Sequence, residues 1–215
     1  MYGAVIFDFD FTLGDSARGI RLCVNDALRR LGYEPGEPDA IRKTIGLSLK
    51  DTFTALTGSG NEPEAKLFSG FFKEKADDVM VANTELYPPV KDVLGRLKNR
   101  GYKLGIVTTK FHYRIEQILD KFDLAETFDL IVGAEDVKTE KPDPEGLLLS
   151  ARYFNLSPEQ ILYVGDSLVD AKAAGKARID FAGVLTGATA AAEFQPFSSV
   201  CLADDLYGIE RFLCG

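Results

Sequence analysis

Two acidic residues directly follow a short apolar run near the start of the sequence. The run Ala4–Phe7 continues into the segment 8–12, which reads DFDFT. Residues i and i+2 of an extended chain point to the same side, so Asp8 and Asp10 are expected to leave the end of a strand together. Paired carboxylates can bind a hard divalent cation, attack an electrophile or transfer protons. A polar turn after a strand has the same pattern, so this segment alone is only suggestive.

Further polar residues stand where later apolar runs end or a helix starts. They are Thr108, Thr109 and Lys110 after the run 103–107, Lys141 ahead of a Pro-Asp-Pro segment, and Asp166 and Asp170 after the run 161–164. The carboxyl ends of parallel strands meet at one edge of a sheet, so these residues are expected to converge there. Asp166 and Asp170 would share one face of a helix that began directly after the run.

The elements that must position these residues follow a strand–helix alternation. Apolar runs predict buried strands at Ala4–Phe7, Lys103–Val107, Leu130–Val132, Ile161–Val164 and Phe181–Leu185. Helical patterns lie between them, which predicts an α/β fold with an open, doubly wound parallel sheet. Residues 14–83 carry helical patterns without a strand. They predict an all-helical insert, residues 14–83, in an α/β core made of residues 1–13 and 84–215.

Composition narrows the class of partner. The 215 residues carry a formal net charge of −8, which argues against nucleic acid or an anionic membrane as the main partner. The sequence has no apolar stretch of membrane-spanning length and no basic leader, and its three cysteines lack metal-type spacing. A cytoplasmic protein with reduced thiols is the simplest expectation. The one histidine, His112, excludes mechanisms that need two.

The order DxDxT, strand-end Thr, Lys-Pro and GDSxxD resembles the haloacid dehalogenase-like superfamily of phosphotransferases. The resemblance spans essentially the whole chain and is greatest to the phosphoglycolate-phosphatase-like branch with an α-helical cap. It implies a phosphatase that hydrolyses small phosphorylated metabolites with Mg²⁺ as cofactor. Asp8 would be the nucleophile that becomes an aspartyl phosphate, and Asp10 the general acid and base.

The same resemblance assigns the remaining residues. Thr108 and Lys141 would hold the phosphoryl oxygens, while Thr12, Thr109 and Lys110 would lie against the substrate. The metal ligands would come from Asp8, the Asp10 backbone carbonyl, Asp166 and Asp170, with Asp170 more distant from the chemistry. In the cap, Arg42 and Lys43 precede Ile45-Gly46 and could meet a substrate anion, although a solvated face is an equal alternative.

Two rival functions are open at this point. A sugar phosphomutase of the same superfamily is similar but has a His in the first cap helix where Ile20 stands, which favours hydrolysis here. A receiver-like binding domain also gathers acids, a Thr and a Lys at strand ends, but it lacks the DxDxT segment and the long helical insert. The physiological substrate and the oligomeric state are not predicted.

Two positions depart from the usual pattern of this superfamily. Phe11 stands where Gly is most frequent, so the turn after Asp10 has to accept a side chain. Arg178 stands where a Gly usually ends the helix that follows Asp170, which raises a question about that helix end and not about catalysis.

Overall fold

The computed structural model describes residues 1–214, which form two compact units. One unit comprises Met1–Gly14 with the segment that starts at Leu86, and the other comprises Asp15–Glu85. The predicted core segment 84–215 ends at Gly215, which lies outside the described residues. No helix within residues 1–214 combines the length and apolar character that a membrane span requires.

The larger unit contains a six-stranded sheet in which every neighbouring pair of strands is parallel. The spatial order is β5-β4-β1-β6-β7-β8. These strands are β1 (Ala4–Phe7), β4 (Lys103–Val107), β5 (Leu130–Val132), β6 (Ile161–Gly165), β7 (Asp180–Val184) and β8 (Cys201–Ala203). The predicted α/β fold with a doubly wound parallel sheet is confirmed.

The apolar periodicity predicts three helices in this unit, and its described residues form five. They are α5 (Val90–Asn99), α6 (His112–Lys121), α7 (Glu145–Phe154), α8 (Leu168–Ala177) and α9 (Leu206–Cys214). Short 3-10 turns lie at Ala125–Thr127, Ala134–Asp136, Pro158–Gln160 and Ala191–Phe194. The β1 side chains are fully buried, as expected for a central strand of a parallel sheet covered on both faces.

The inserted unit is helical except at its two ends, so the expectation that residues 14–83 contain no strand was wrong at Gly14–Asp15. It contains α1 (Ala17–Arg30), α2 (Pro38–Arg42), α3 (Leu49–Thr57), α4 (Glu62–Val79) and a 3-10 turn at Val81–Asn83. Its own apolar core joins α1, α3 and α4 through residues that include Ile20, Val24, Phe53 and Phe68, all of them buried. Two-residue strands, β2 (Gly14–Asp15) and β3 (Glu85–Leu86), pair with each other where the chain enters and leaves this unit.

Both departures from the superfamily pattern keep a left-handed backbone without glycine. Phe11 has φ +61°, and its ring is buried, while its N–H donates to the Gly14 carbonyl oxygen at 2.7 Å. Arg178 has φ +58° as the exposed residue that ends α8. The left-handed conformation is unfavourable for most side chains, so the surrounding contacts impose it at both places.

Candidate active site

The candidate site lies at the carboxyl end of the central strands, where the strand order changes direction. From β1 the chain adds β4 and β5 on one side and β6, β7 and β8 on the other. Asp8 directly follows β1, Thr108 follows β4 and Asp166 follows β6. Ligands bind in open α/β sheets at this kind of switch point. The Asp8 N–H donates to the Val164 carbonyl oxygen at 2.8 Å, so the first carboxylate is held by the sheet itself.

Lys141 connects the carboxylates at this edge. Its Nζ lies 2.9 Å from Asp8 Oδ1 and 2.6 Å from Asp170 Oδ1, and it donates to the Tyr163 hydroxyl at 2.8 Å. Lys141 is 6% exposed, so its charge depends on these neighbours and not on water. The contact with Asp8 Oδ1 is an ion pair that lacks hydrogen-bond geometry, which leaves this carboxylate oxygen without a hydrogen bond.

Asp170 is completely enclosed by donors. Oδ1 accepts from Lys141 and from the Tyr163 hydroxyl at 2.9 Å, a proton that the tyrosine can alternatively give to the Val107 carbonyl oxygen at 3.0 Å. Oδ2 accepts from the Ser167 N–H at 3.1 Å and the Ser167 hydroxyl at 2.6 Å. Lys141 and Ser167 together engage both oxygens even when the Tyr163 proton turns to Val107, so Asp170 acts as an anchor for Lys141.

The buried charges shift one another's protonation equilibria. Burial raises the pKa of Asp8 to about 6, an effect that the Lys141 charge partly opposes and the Asp170 charge reinforces. Burial, together with the Asp170 and Asp8 charges, raises the pKa of Asp166 well above its usual range. Burial disfavours the Lys141 cation, but Asp170 and Asp8 outweigh this and raise the pKa of Lys141. The two carboxylates therefore favour the charged form of Lys141.

Asp10 is paired with a different lysine. Lys110 Nζ lies 3.0 Å from Asp10 Oδ2, and the two side chains are 8% and 10% exposed. Asp10 Oδ1 is buried and has no hydrogen-bond partner among the described residues. The carboxylates of Asp8 and Asp10 thus have separate cations, one anchored to Asp170 and the other on the loop after β4.

The threonines predicted for the site occupy the loops after β1 and β4. Thr108 is 5% exposed, and its Oγ1 accepts the Lys110 N–H at 3.2 Å, which fixes the start of that loop. Thr12 is buried, and its hydroxyl has no partner within the described residues. Thr109 lies half-buried between Thr108 and Lys110. A buried hydroxyl without a partner is uncommon, and substrate or water is a natural partner for the Thr12 hydroxyl.

A glycine permits the close approach of the loop after β7 to Asp166. A Cβ placed on Gly187 would lie 1.8 Å from Asp166 Oδ2, a distance that no real side chain tolerates. The neighbouring Thr186 hydroxyl donates to the Phe11 carbonyl oxygen, which ties this loop to the turn after β1. The absence of a side chain at Gly187 therefore allows this loop to pack directly against the Asp166 carboxylate.

The donor set fits a hard divalent cation. One carboxylate oxygen from each of Asp8, Asp166 and Asp170 lies within 4.8 Å of the other two. Counted with Asp10, four buried carboxyl groups face two lysines, Lys110 and Lys141, so acidic groups outnumber the cations beside them. The available side-chain donors are oxygen atoms, which Mg²⁺ prefers over the nitrogen and sulfur ligands typical of zinc. Asp8 Oδ1 retains capacity for such an ion, whereas the Asp170 oxygens are already engaged.

Two residues of this network were missed in the sequence. Tyr163 lies in the middle of β6, where an apolar run predicts only core, but a buried tyrosine hydroxyl needs a partner, and this was the available signal. Ser167 and Asp170 form a capping box at the start of α8, which the Ser-x-x-Asp spacing indicates. Because α8 begins at Leu168, Asp166 precedes the helix and does not share a helical face with Asp170.

Arg42 and Lys43 belong to the inserted unit. Arg42 is the last residue of α2 and half-buried, while Lys43 follows the helix and is exposed. Their proposed contact with a substrate anion stays a prediction.

Comparison with known proteins places these features in a family. The sequence profile of the family described as "Haloacid dehalogenase-like hydrolase" matches residues 5–184. The chain is 32% identical to phosphoglycolate phosphatase of Salmonella typhi, in an alignment that covers 85% of this chain and 81% of the relative. It is 31% identical, with the same coverage, to phosphoglycolate phosphatase of Escherichia coli O157:H7.

A solved structure shares almost the entire fold. A haloacid dehalogenase-like hydrolase from Bacteroides fragilis superimposes with a TM-score of 0.93 at 41% sequence identity, over 96% of this chain and 98% of that one. The similarity thus extends over both the sheet and the inserted helices.

Proposed function

Because this chain belongs to the haloacid dehalogenase-like hydrolase family, we propose that it hydrolyses small phosphate monoesters with Asp8 as nucleophile and Mg²⁺ as cofactor. The observation that carries the proposal is the buried contact between Asp8 and Lys141 beside Asp166. The Asp8 carboxylate lies at the end of the central strand, where ligands bind in this kind of sheet. The Lys141 cation beside it reduces the electrostatic repulsion between this carboxylate and the phosphate ester that it attacks.

The first half of the reaction transfers the phosphoryl group to Asp8. An Asp8 oxygen forms a bond to phosphorus as the bond between phosphorus and the ester oxygen breaks, and the product alcohol leaves with a proton from Asp10. Lys141 and Thr108 stabilise the charge on the phosphoryl oxygens. Asp8, Asp166 and the Asp10 carbonyl would hold Mg²⁺, which when bound offsets the repulsion between the carboxylate and the phosphate dianion.

The second half returns Asp8 to its free form. Asp10 takes a proton from a water molecule, whose oxygen attacks phosphorus and releases inorganic phosphate and the Asp8 carboxylate. The Lys110 ammonium, 3.0 Å from Asp10 Oδ2, holds the carboxylate side chain in place for both proton transfers. We assign Asp170 to the positioning of Lys141, since its oxygens accept from Lys141, Tyr163 and Ser167.

The proposed substrate is a phosphoglycolate-like ester, that is, a small phosphorylated metabolite. Support comes from the relatives named phosphoglycolate phosphatase, which match 85% of this chain. Hydrolysis is favoured over phosphoryl return to a sugar because Ile20, at the position where similar mutases carry a His, is buried among the apolar residues of the inserted unit. Incubation with a sugar phosphate is expected to release inorganic phosphate and to form no positional isomer.

A screen of phosphorylated metabolites, with Mg²⁺ or with a chelator, tests the proposal. We expect turnover of at least one small phosphate monoester that needs the added cation and is lost in Asp8→Asn, because an amide cannot form the acyl phosphate. Asp204→Asn, an exposed acid of the same unit, is the matched control and should retain wild-type turnover. Asp8→Asn at wild-type activity, or full activity in the chelated protein, would contradict the assignment.

A further inference from the structure

The inserted unit contains a second concave surface that the proposed chemistry does not use. It is a cavity of about 310 Å³ between the start of α1 and the end of α2. Arg18 and Arg21 from α1 and Arg42 from α2 line it, together with a single acid, Asp39. This arrangement concentrates positive charge in a protein whose formal net charge is −8.

The two arginines of α1 stand in an unfavourable place for a cation. Arg18 lies in the first turn of the helix, which has no acidic residue, and Arg21 lies three residues further on the same face. The helix macrodipole is positive at this end, and the Asp15 carboxylate, which accepts from the Ala17 N–H at 2.8 Å, offsets only part of it. The exposed side chains of Arg18 and Arg21 have no ion pair or hydrogen bond within residues 1–214, whereas Arg30 at the far end of α1 pairs with Asp26 and Glu74.

The remaining lining sets the kind of ligand. Ile41 and Ile45 give the cavity an apolar wall beside the three arginines. A volume near 310 Å³ exceeds that of a bare ion and is at the lower end of the range for small-molecule sites. Guanidinium groups bind carboxylates and phosphates through paired hydrogen bonds. A ligand that fits this lining and volume carries a carboxylate or a phosphate on a short carbon skeleton.

We infer that the cavity formed by Arg18, Arg21 and Arg42 is a binding site for a small organic oxyanion. The bound group neutralises the positive charge that gathers at the start of α1. It is either the substituent of the phosphate ester that is hydrolysed or a separate metabolite, and both present the same chemistry to the arginines.

Malonate, a dicarboxylate without a transferable phosphate, is the probe for the site itself. Calorimetric titration of the full-length, metal-free protein is expected to show binding that weakens about tenfold or more in Arg18→Ala/Arg21→Ala, since each charged hydrogen bond lost has that order of effect. Arg29→Ala, an exposed arginine of the same helix near its other end, should bind malonate like the wild type. No binding to the wild type, or equal affinity in the double variant, would overturn the inference.

Kinetics with two substrates distinguish an anionic substituent of the hydrolysed ester from a separate anionic metabolite. This second experiment rests on the proposed function. For an anion on the substrate, the double variant loses about tenfold or more in kcat/KM toward a phosphate ester with a carboxylate and much less toward an aryl phosphate. For a separate metabolite, malonate changes the turnover of both esters without competing with either. If Asp8→Asn leaves turnover intact, the proposed function fails, yet the malonate titration still decides the site.

Discussion

Lys110 and Asp10 form an ion pair at the end of the sheet, with Nζ 3.0 Å from Oδ2 and neither side chain more than 10% exposed. Since the second carboxylate oxygen has no hydrogen bond within the described residues, this lysine is the group that fixes the carboxylate. We expect Lys110→Met to lower kcat about 10- to 100-fold, the order of one charged hydrogen bond, while Lys110→Arg retains more activity.

Steady-state phosphate release measures this effect. Lys172→Met, which removes an exposed lysine from α8, is the control and should leave kcat unchanged. Equal kcat values for Lys110→Met and Lys172→Met would show that the pair has no part in the reaction.

Tyr163 and Asp170 should act on the chemistry only through Lys141. Tyr163→Phe removes a hydroxyl that accepts from Lys141 and leaves the surrounding polar groups buried, so the free energy of unfolding should fall by about 1 to 3 kcal/mol and kcat should fall with it. Asp170→Asn should be more damaging, because it removes the anion that Lys141 approaches most closely. Tyr153→Phe, on a residue 63% exposed, is the control, and similar urea midpoints for the two phenylalanine variants would contradict the account.

Gly187→Ala should weaken the metal site with no change to a catalytic group. The added Cβ would fall 1.8 Å from Asp166 Oδ2, so either the carboxylate or the loop has to move. We expect the Mg²⁺ concentration for half-maximal activity to rise about tenfold or more, the range seen when groups that orient metal ligands are changed. Gly175→Ala meets open space within α8 and should raise stability slightly without this effect. An unchanged Mg²⁺ requirement in Gly187→Ala would remove Asp166 from the site.

The stability of the metal-free protein should depend on the protonation of Asp8. Its pKa is raised from 3.8 to about 6 in the folded state, mainly by burial, so the folded form binds this proton more tightly than the unfolded chain does. The resulting stabilisation is complete below the unfolded pKa and is lost as the pH rises through about 6. Its upper limit is about 3 kcal/mol.

Urea unfolding of wild type and Asp8→Asn in chelator, between about pH 4 and about pH 7, isolates this contribution. Asp8→Asn has no carboxyl group to titrate at this position, so its stability relative to wild type should rise across the interval. A constant difference between the two proteins would mean that the Asp8 pKa is ordinary.

Most of the fold was predictable because its strands are buried on both faces. Four of the five predicted strands start at the observed residue, and the fifth, predicted at Phe181–Leu185, lies one residue earlier at Asp180–Val184. The edge strand β8, Cys201–Ala203, was missed because three partly exposed residues carry no continuous apolar signal. The left-handed residues Phe11 and Arg178 could not be predicted from their types, since tertiary contacts decide their backbone conformation.

The sequence was enough to predict which residues lie at the site. It was not enough to predict which of them contact one another. Strand ends bring Asp8 and Asp166 to one edge, which the positions of the apolar runs already imply. Which lysine meets which carboxylate depends on loop paths that local sequence does not encode. The resemblance assigned Lys110 to the substrate, whereas in the structure Lys110 forms an ion pair with Asp10. Lys141 donates a hydrogen bond to Tyr163, which lies in the middle of a strand.

The central claim is that Asp8 itself carries the phosphoryl group. The most direct measurement is acid quenching of Asp10→Asn during turnover of an accepted phosphate ester, followed by borohydride reduction and peptide mass spectrometry. The ester is an aryl phosphate, whose phenolate leaves without a proton from residue 10, and Asp10→Asn lacks the base that activates water, so the acyl phosphate should accumulate. We expect reduction of residue 8 to homoserine, only with substrate present and never in Asp8→Asn/Asp10→Asn. Substrate turnover with an unmodified Asp8, or homoserine at Asp166 instead, would contradict it.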